Sequence, residues 1–115
     1  MTWPPGDPAR VGMAEARRSL NMATSERDFQ GYVTDLADVG RWLWFHDHDA
    51  RRNRAGLPDI IAVRAPRLVF LELKSMKGAL RPAQEEWLDQ LGTCTSVEAH
   101  VLHPDEADRA LEVLR

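Results

Sequence analysis

A single cysteine, Cys94, is all that the 115 residues carry, which excludes an internal disulfide and a cysteine-rich zinc site. Long apolar runs are missing too: stretches such as Leu68 to Leu71 fall far short of a membrane span. Met1 to Gly6 shows no basic patch leading into an apolar stretch, so no secretion signal is read there and the expected setting is cytoplasmic. Positive charge is in deficit. The net charge of -3, taken alone, argues against a nucleic-acid binder. What is present is ordinary for a folded protein: 43% hydrophobic residues, enough for one domain around one core without covalent staples.

The distribution of charge reverses the impression left by its sum. Between Arg51 and Arg81 the basic residues are Arg51, Arg52, Arg54, Arg64, Arg67, Lys74, Lys77 and Arg81, against only Asp59 and Glu72. Acids gather elsewhere, at Asp35 and Asp38, at Glu85, Glu86 and Asp89, and at Asp105, Glu106 and Asp108. Such asymmetry can steer a polyanion to one face. A solvated basic loop would carry the same charges, and charge alone does not separate the two.

Residues 1–23, with Pro4, Pro5, Pro8, Gly6 and Gly12, read as an N-terminal arm with at most a short helical turn around Met13 to Leu20. Residues 24–115 read as the domain. Thr24 or Ser25 can cap a helix on which Phe29, Val33, Leu36 and Ala37 recur at helical spacing, with Gly40 supplying a left-handed end. Arg41 to His46 suits a strand, with Trp42 and Trp44 in the core, and Asp47 to Pro58 reads as a loop. Ile60 to Val63 and Leu68 to Lys74 form strands joined around Ala65-Pro66 in a hairpin. Arg81-Pro82 opens a second helix that Gly92 closes. Val97 to Leu102 is a fourth strand, and Pro104 to Leu114 a last helix on Ala107, Ala110, Leu111 and Leu114. The order, helix, three strands, helix, strand, helix, predicts an α/β domain with a largely buried sheet.

Polar residues then stand where apolar ones belong. Alternation puts Leu68, Phe70, Glu72 and Lys74 on one face of their strand. An isolated Glu-x-Lys is usually an ion pair at a strand end, but burying such charges is costly unless they are paired or hold a metal. Asp59 starts the partner strand, so the hairpin brings it near Glu72 and Lys74. Two carboxylates at that range repel unless a cation lies between them, and hard oxygen ligands suit Mg²⁺. Pro58-Asp59 is equally readable as a turn. Glu26 lies on the apolar side of the first helix, where a role at the helix dipole competes with one at a site. Gln84 precedes Trp87, Leu88 and Leu91 at helical spacing and needs partners if it faces inward.

These residues resemble a known family. Ser25-Glu26-Arg27-Asp28-Phe29-Gln30, Gly56-Leu57-Pro58-Asp59, Phe70-Leu71-Glu72-Leu73-Lys74 and Leu80-Arg81-Pro82-Ala83-Gln84 are similar, in order and spacing, to the motifs of the VRR-NUC family. These are virus-type replication-repair nucleases of the PD-(D/E)XK superfamily. The resemblance implies a restriction-endonuclease-like α/β core (αβββαβ, here with a C-terminal helix) and a Mg²⁺- or Mn²⁺-dependent endodeoxyribonuclease. It implies Asp59, Glu72 and the Leu73 carbonyl as metal ligands, Glu26 as a further one through water, Lys74 as the residue that positions and helps deprotonate the attacking water, and Gln84 as support. It also implies a homodimer acting on branched or junction DNA in replication, recombination or repair. Arg81 departs from the pattern, since a capping serine or threonine is common there.

On this reading the basic loop has a use. Arg51, Arg52, Arg54 and His48 lie upstream of Asp59, with Lys77 and Arg81 on the other side, all suited to phosphate contacts. His46-Asp47-His48-Asp49 is alternatively a transition-metal site, though no third His or Cys ligand follows nearby. Rival functions are a nicking, flap or restriction-type nuclease, a DNA-binding module with an idle site, and a regulatory protein using the fold for protein contacts.

Overall fold

The computed structural model describes residues 24–47 and 54–115, together with Asn21. Their elements run α1 (Glu26–Val39), β1 (Leu43–His46), β2 (Ile60–Arg64), β3 (Arg67–Leu73), α2 (Pro82–Gly92), β4 (Glu98–Leu102), a 3₁₀ turn (Pro104–Glu106) and α3 (Ala107–Leu114). The expected α/β order is present. The sheet is mixed, in the order β1-β2-β3-β4: β1 to β3 are antiparallel neighbours, and β4 returns parallel to β3 after the α2 crossover. None of the described helices is long and apolar enough to cross a membrane.

One face of the sheet makes the core. Ile60, Ala62, Val69, Leu71, Leu73 and Leu102 are buried there against Phe29, Val33 and Ala37 of α1 and Ala110, Val113 and Leu114 of α3. Each fully buried Leu or Val contributes about 1.5–3 kcal/mol relative to exposure, so this face is the principal source of stability. Ser25 caps α1, its hydroxyl accepting from Asp28 N at 3.1 Å.

Several local expectations are corrected. Gly40 has φ -79°, and the left-handed residue is Arg41 at φ 60°, so the chain turns one position later and β1 starts at Leu43. Trp42 is core, at 4% exposure, but Trp44 is not: it lies on the edge strand, 37% exposed, its Nε1 donating to Asp38 Oδ1 at 2.8 Å. The last helix is broken into the 3₁₀ turn and α3, and it buries Val113 where Leu111 was expected; Leu111 is 45% exposed.

Arg64 and Arg67 also leave the expected basic face. They sit at the hairpin's turn, at the opposite end of the strands from Asp59 and Glu72, and flank the Trp42 ring at 4.5 and 4.9 Å. Arg64 donates to Gly40 O and Arg115 O, and Arg67 to Glu98 and Val113 O. With Trp42 Nε1 on Leu114 O, they satisfy carbonyls that the end of α3 leaves open. Their charge is used in fastening α3.

Candidate active site

The second face of the sheet carries the polar residues. Its alternation brings Glu72 up beside Phe70, and Glu72 is buried to 2% exposure, with Lys74 just past the strand end at 7%. The register Ile60↔Leu71 puts Asp59 at the same end of the hairpin. Its Oδ2 accepts from Leu73 N at 2.9 Å, taking the place of the next ladder carbonyl. In an extended strand a residue's N–H and C=O point to the same edge, so the Leu73 carbonyl is turned toward Asp59 as well.

Gln84, on the first turn of α2, completes the cluster. Its Nε2 donates to Glu72 Oε1 at 3.0 Å, while its Oε1 accepts from Lys74 Nζ and from Arg81 N, both at 2.9 Å. Arg81, a donor-only side chain, cannot cap α2 by accepting; Gln84 reaching back to the Arg81 N–H takes over part of that work. Lys74 is held further along its length, since its N donates to Leu102 O and the following turn packs on its stem. A Cβ on Gly78 would stand 3.2 Å from the Lys74 Cβ and Cδ.

Opposite, the Gly56-Leu57-Pro58-Asp59 segment is pressed onto the same helix. Gly56 has φ +90°, and a Cβ there would lie 2.4 Å from the Ala83 carbonyl. Trp87 Nε1 donates to Ala55 O at 3.1 Å. The loop and α2 thereby enclose a cavity of about 330 Å³, lined by Asp59, Asp47, Gly56, Arg81 and Gln84 among others. Asp47 N also donates to Asp59 O at 3.1 Å. Asp47 at this cavity was not foreseen as a site residue; its one sequence signal, the His-Asp alternation, had pointed to a transition-metal site instead.

Electrostatics make Glu72 the unusual group. Burial pushes its carboxyl up to about 8, with the neighbouring Asp59 charge adding to the shift, Lys74 opposing it and Glu26 adding a smaller push. Its Oε2 is buried with no hydrogen-bond donor. A buried carboxylate oxygen without a donor, facing a second carboxylate and a strand-end carbonyl, is a donor set that a hard cation would satisfy.

Of the residues expected at the site, Asp59, Glu72, Lys74 and Gln84 come together. Glu26 is exposed at the start of α1 and acts on Glu72 through its charge. Among the described residues no three His, Cys, Asp or Glu side chains are grouped to hold a metal. Arg81 lines the cavity, Arg54 is exposed beside it, and Lys77 is exposed on the turn after β3. Arg51, Arg52 and His48 lie outside the described residues, as does Asp49 of the alternative metal reading.

Asp59 just ahead of one hairpin strand, Glu72 in the other, Lys74 beyond its end and the helical Gln84 across them form one polar cluster on a mixed sheet. The family model of the VRR-NUC domain matches residues 19–105, and the chain belongs to that family. Its function is accordingly of the nuclease type, with DNA as the substrate class. The matched span stops short of α3, which this chain nevertheless uses to close its core. No curated protein and no solved structure matches.

Proposed function

We propose that the chain is a Mg²⁺- or Mn²⁺-dependent endodeoxyribonuclease that hydrolyses phosphodiester bonds at Asp59, Glu72 and Lys74. The observation that carries this reading is the buried, donor-less Glu72 Oε2 placed across the hairpin from Asp59, with the Lys74 ammonium alongside. Asp59, Glu72 and the Leu73 carbonyl would hold the cation, with Glu26 contributing charge from α1. When bound, the cation supplies charge neutralisation at the scissile phosphate and eases deprotonation of water. Lys74 orients the attacking water and offsets negative charge as it develops. Gln84 fixes the Lys74 ammonium and holds Glu72 in place. In-line attack leaves a 5′-phosphate and a 3′-hydroxyl. Arg54 and Arg81, joined by Arg51, Arg52, His48 and Lys77, serve phosphates on either side.

We take branched or junction DNA as the preferred substrate and a homodimer as the active form, in replication, recombination or repair in the cytoplasm. In support of a dimer, β1 is an edge strand whose Leu43 and Phe45 are 76% and 58% exposed. Linear, nicked, flapped and four-way DNA incubated with the protein and Mg²⁺, Mn²⁺ or chelator test the reading. Metal-dependent cutting that is lost in Lys74→Ala and Asp59→Ala is expected. Cleavage of none of the substrates with either metal would sink the nuclease assignment, and cutting of linear and four-way DNA at equal rates would remove the junction preference.

A further inference from the structure

A second cavity, of about 260 Å³, adjoins the first on the outer side of α2, and Ala55 lines both. Arg54, Glu86, Trp87 and Gln90 make up the rest of its described lining. α2 buries none of its residues fully, and its largest apolar side chain, Trp87, is turned to this cavity rather than into the core. The indole is fixed there, because its one polar atom, Nε1, is already spent on Ala55 O. What Trp87 offers a ligand is therefore apolar π surface on a rigid mount. Gln90, one turn further along α2, offers an amide donor and acceptor together, Glu86 adds an acceptor, and Arg54 stands at the mouth as a cation.

A flat aromatic ring, a mixed donor–acceptor edge and a flanking cation form a combination that suits a nucleobase attached to a phosphate backbone. The volume lies below that of ordinary drug-sized pockets, about 300–1,000 Å³, and so suits one ring system better than an extended ligand. The shared Ala55 wall sets it beside the cavity at Asp59. Resting on the nuclease reading above, we propose that this cavity is a nucleobase subsite, which takes one unstacked base of the cleaved strand next to the scissile phosphate and seats it against Trp87. A base drawn out of its stack is cheapest where pairing is already broken, so the subsite would itself favour branch points and frayed ends over intact duplex.

The test moves an abasic spacer, one position at a time, along the cleaved strand around the cut, in a DNA that the wild-type chain cleaves. The expected result is one position where loss of the base lowers kcat/KM by about tenfold, the size of a single base–aromatic contact. Trp87→Ala lowers cleavage of intact DNA by a similar factor and costs nothing more on the DNA lacking that base, while Trp87→Phe keeps most of the rate. Gln90→Ala, at an exposed position, gives the same non-additivity where Trp87→Ala fails to fold. Losses that multiply, or a variant that slows every spacer substrate equally, would overturn the proposal. If the wild-type chain cleaves no DNA, the nuclease reading falls by itself. The subsite is then read from anisotropy of labelled oligonucleotides in chelator: tighter binding of base-bearing than spacer-bearing strands, abolished by Gln90→Ala, supports it, and equal binding overturns it.

Discussion

Lys74 Nζ stands 3.9 Å from Glu72 Oε1, too far for a hydrogen bond, and donates its hydrogen bond instead to Gln84 Oε1 at 2.9 Å. A neutral amide bridges the two side chains, donating to Glu72 Oε1 and accepting from Lys74 Nζ. The ion pair is a long one, and the lysine's hydrogen bond goes to the amide rather than to the glutamate. The amide leaves both side chains ordered and Glu72 Oε2 without a hydrogen-bond partner.

Gln84→Ala removes both connections and the Arg81 N–H acceptor in one step. A partner that orients groups around a metal typically contributes about 10- to 100-fold in affinity or activity, and a loss of that size in kcat is expected here. Steady-state cleavage with a metal titration checks it. Wild-type kcat in the variant would mean that Lys74 needs no amide to hold it.

The Glu72 carboxyl, pushed up to about 8 by burial and by Asp59, links metal binding and stability to pH. In the unfolded chain it ionises near 4.5. The fold therefore favours its protonated form, and stability without metal falls as pH rises from about 4.5 through about 8, then levels. Glu98 works the other way: its carboxyl is held down by Arg67, and the stability it adds is lost only on acidification. Thermal melts in chelator between pH 4.5 and 8 should thus show a decline in Tm. Divalent metal must displace the Glu72 proton, so apparent Kd should improve by about tenfold per pH unit up to about 8 and flatten above it. A Kd independent of pH over that range would place the metal away from Glu72.

Gly56 lets the loop press against the backbone of α2 with no room for a side chain. A methyl group there meets the Ala83 carbonyl at 2.4 Å on a backbone that side chains rarely adopt. Gly56→Ala should cost at least about 2 kcal/mol and lower activity per folded molecule, because Asp59 is carried by the same segment. Denaturant melts and active-site titration measure the two effects. A substitution that costs stability but leaves kcat unchanged would uncouple the loop from the site.

Much of this was readable in the sequence, and the failures share a cause. Alternation in Leu68 to Lys74 and helical spacing from Phe29 to Ala37 are local patterns, and they set both the sheet and its buried face. The hairpin turned spacing into proximity for Asp59 and Glu72. Gln84 was legible only as a polar residue ahead of an apolar stripe; that it lies between Glu72 and Lys74 depends on how α2 crosses the sheet. Arg64 and Arg67 were misread as basic surface because sequence places them near Asp59, whereas the strands carry them to the opposite end, onto Trp42 and the end of α3. Trp44 was misread for a related reason: nothing local shows that β1 would be an edge.

Asp59→Asn separates catalysis from stability most sharply. The like charge of Asp59 is the second-largest reason why Glu72 is held above its ordinary range, after burial. An asparagine oxygen can still accept from Leu73 N, so the strand-end hydrogen bond survives while the repulsion goes. In chelator the variant should melt several degrees higher than the wild-type chain, and its decline in Tm toward pH 8 should be shallower. Added Mg²⁺ or Mn²⁺ stabilises any chain that binds it when folded, so wild type should gain Tm with metal and the variant should gain little. DNA cleavage should be lost. A variant that melts lower in chelator would show that Asp59 acts as a structural turn residue rather than as a carboxylate kept in place for a cation.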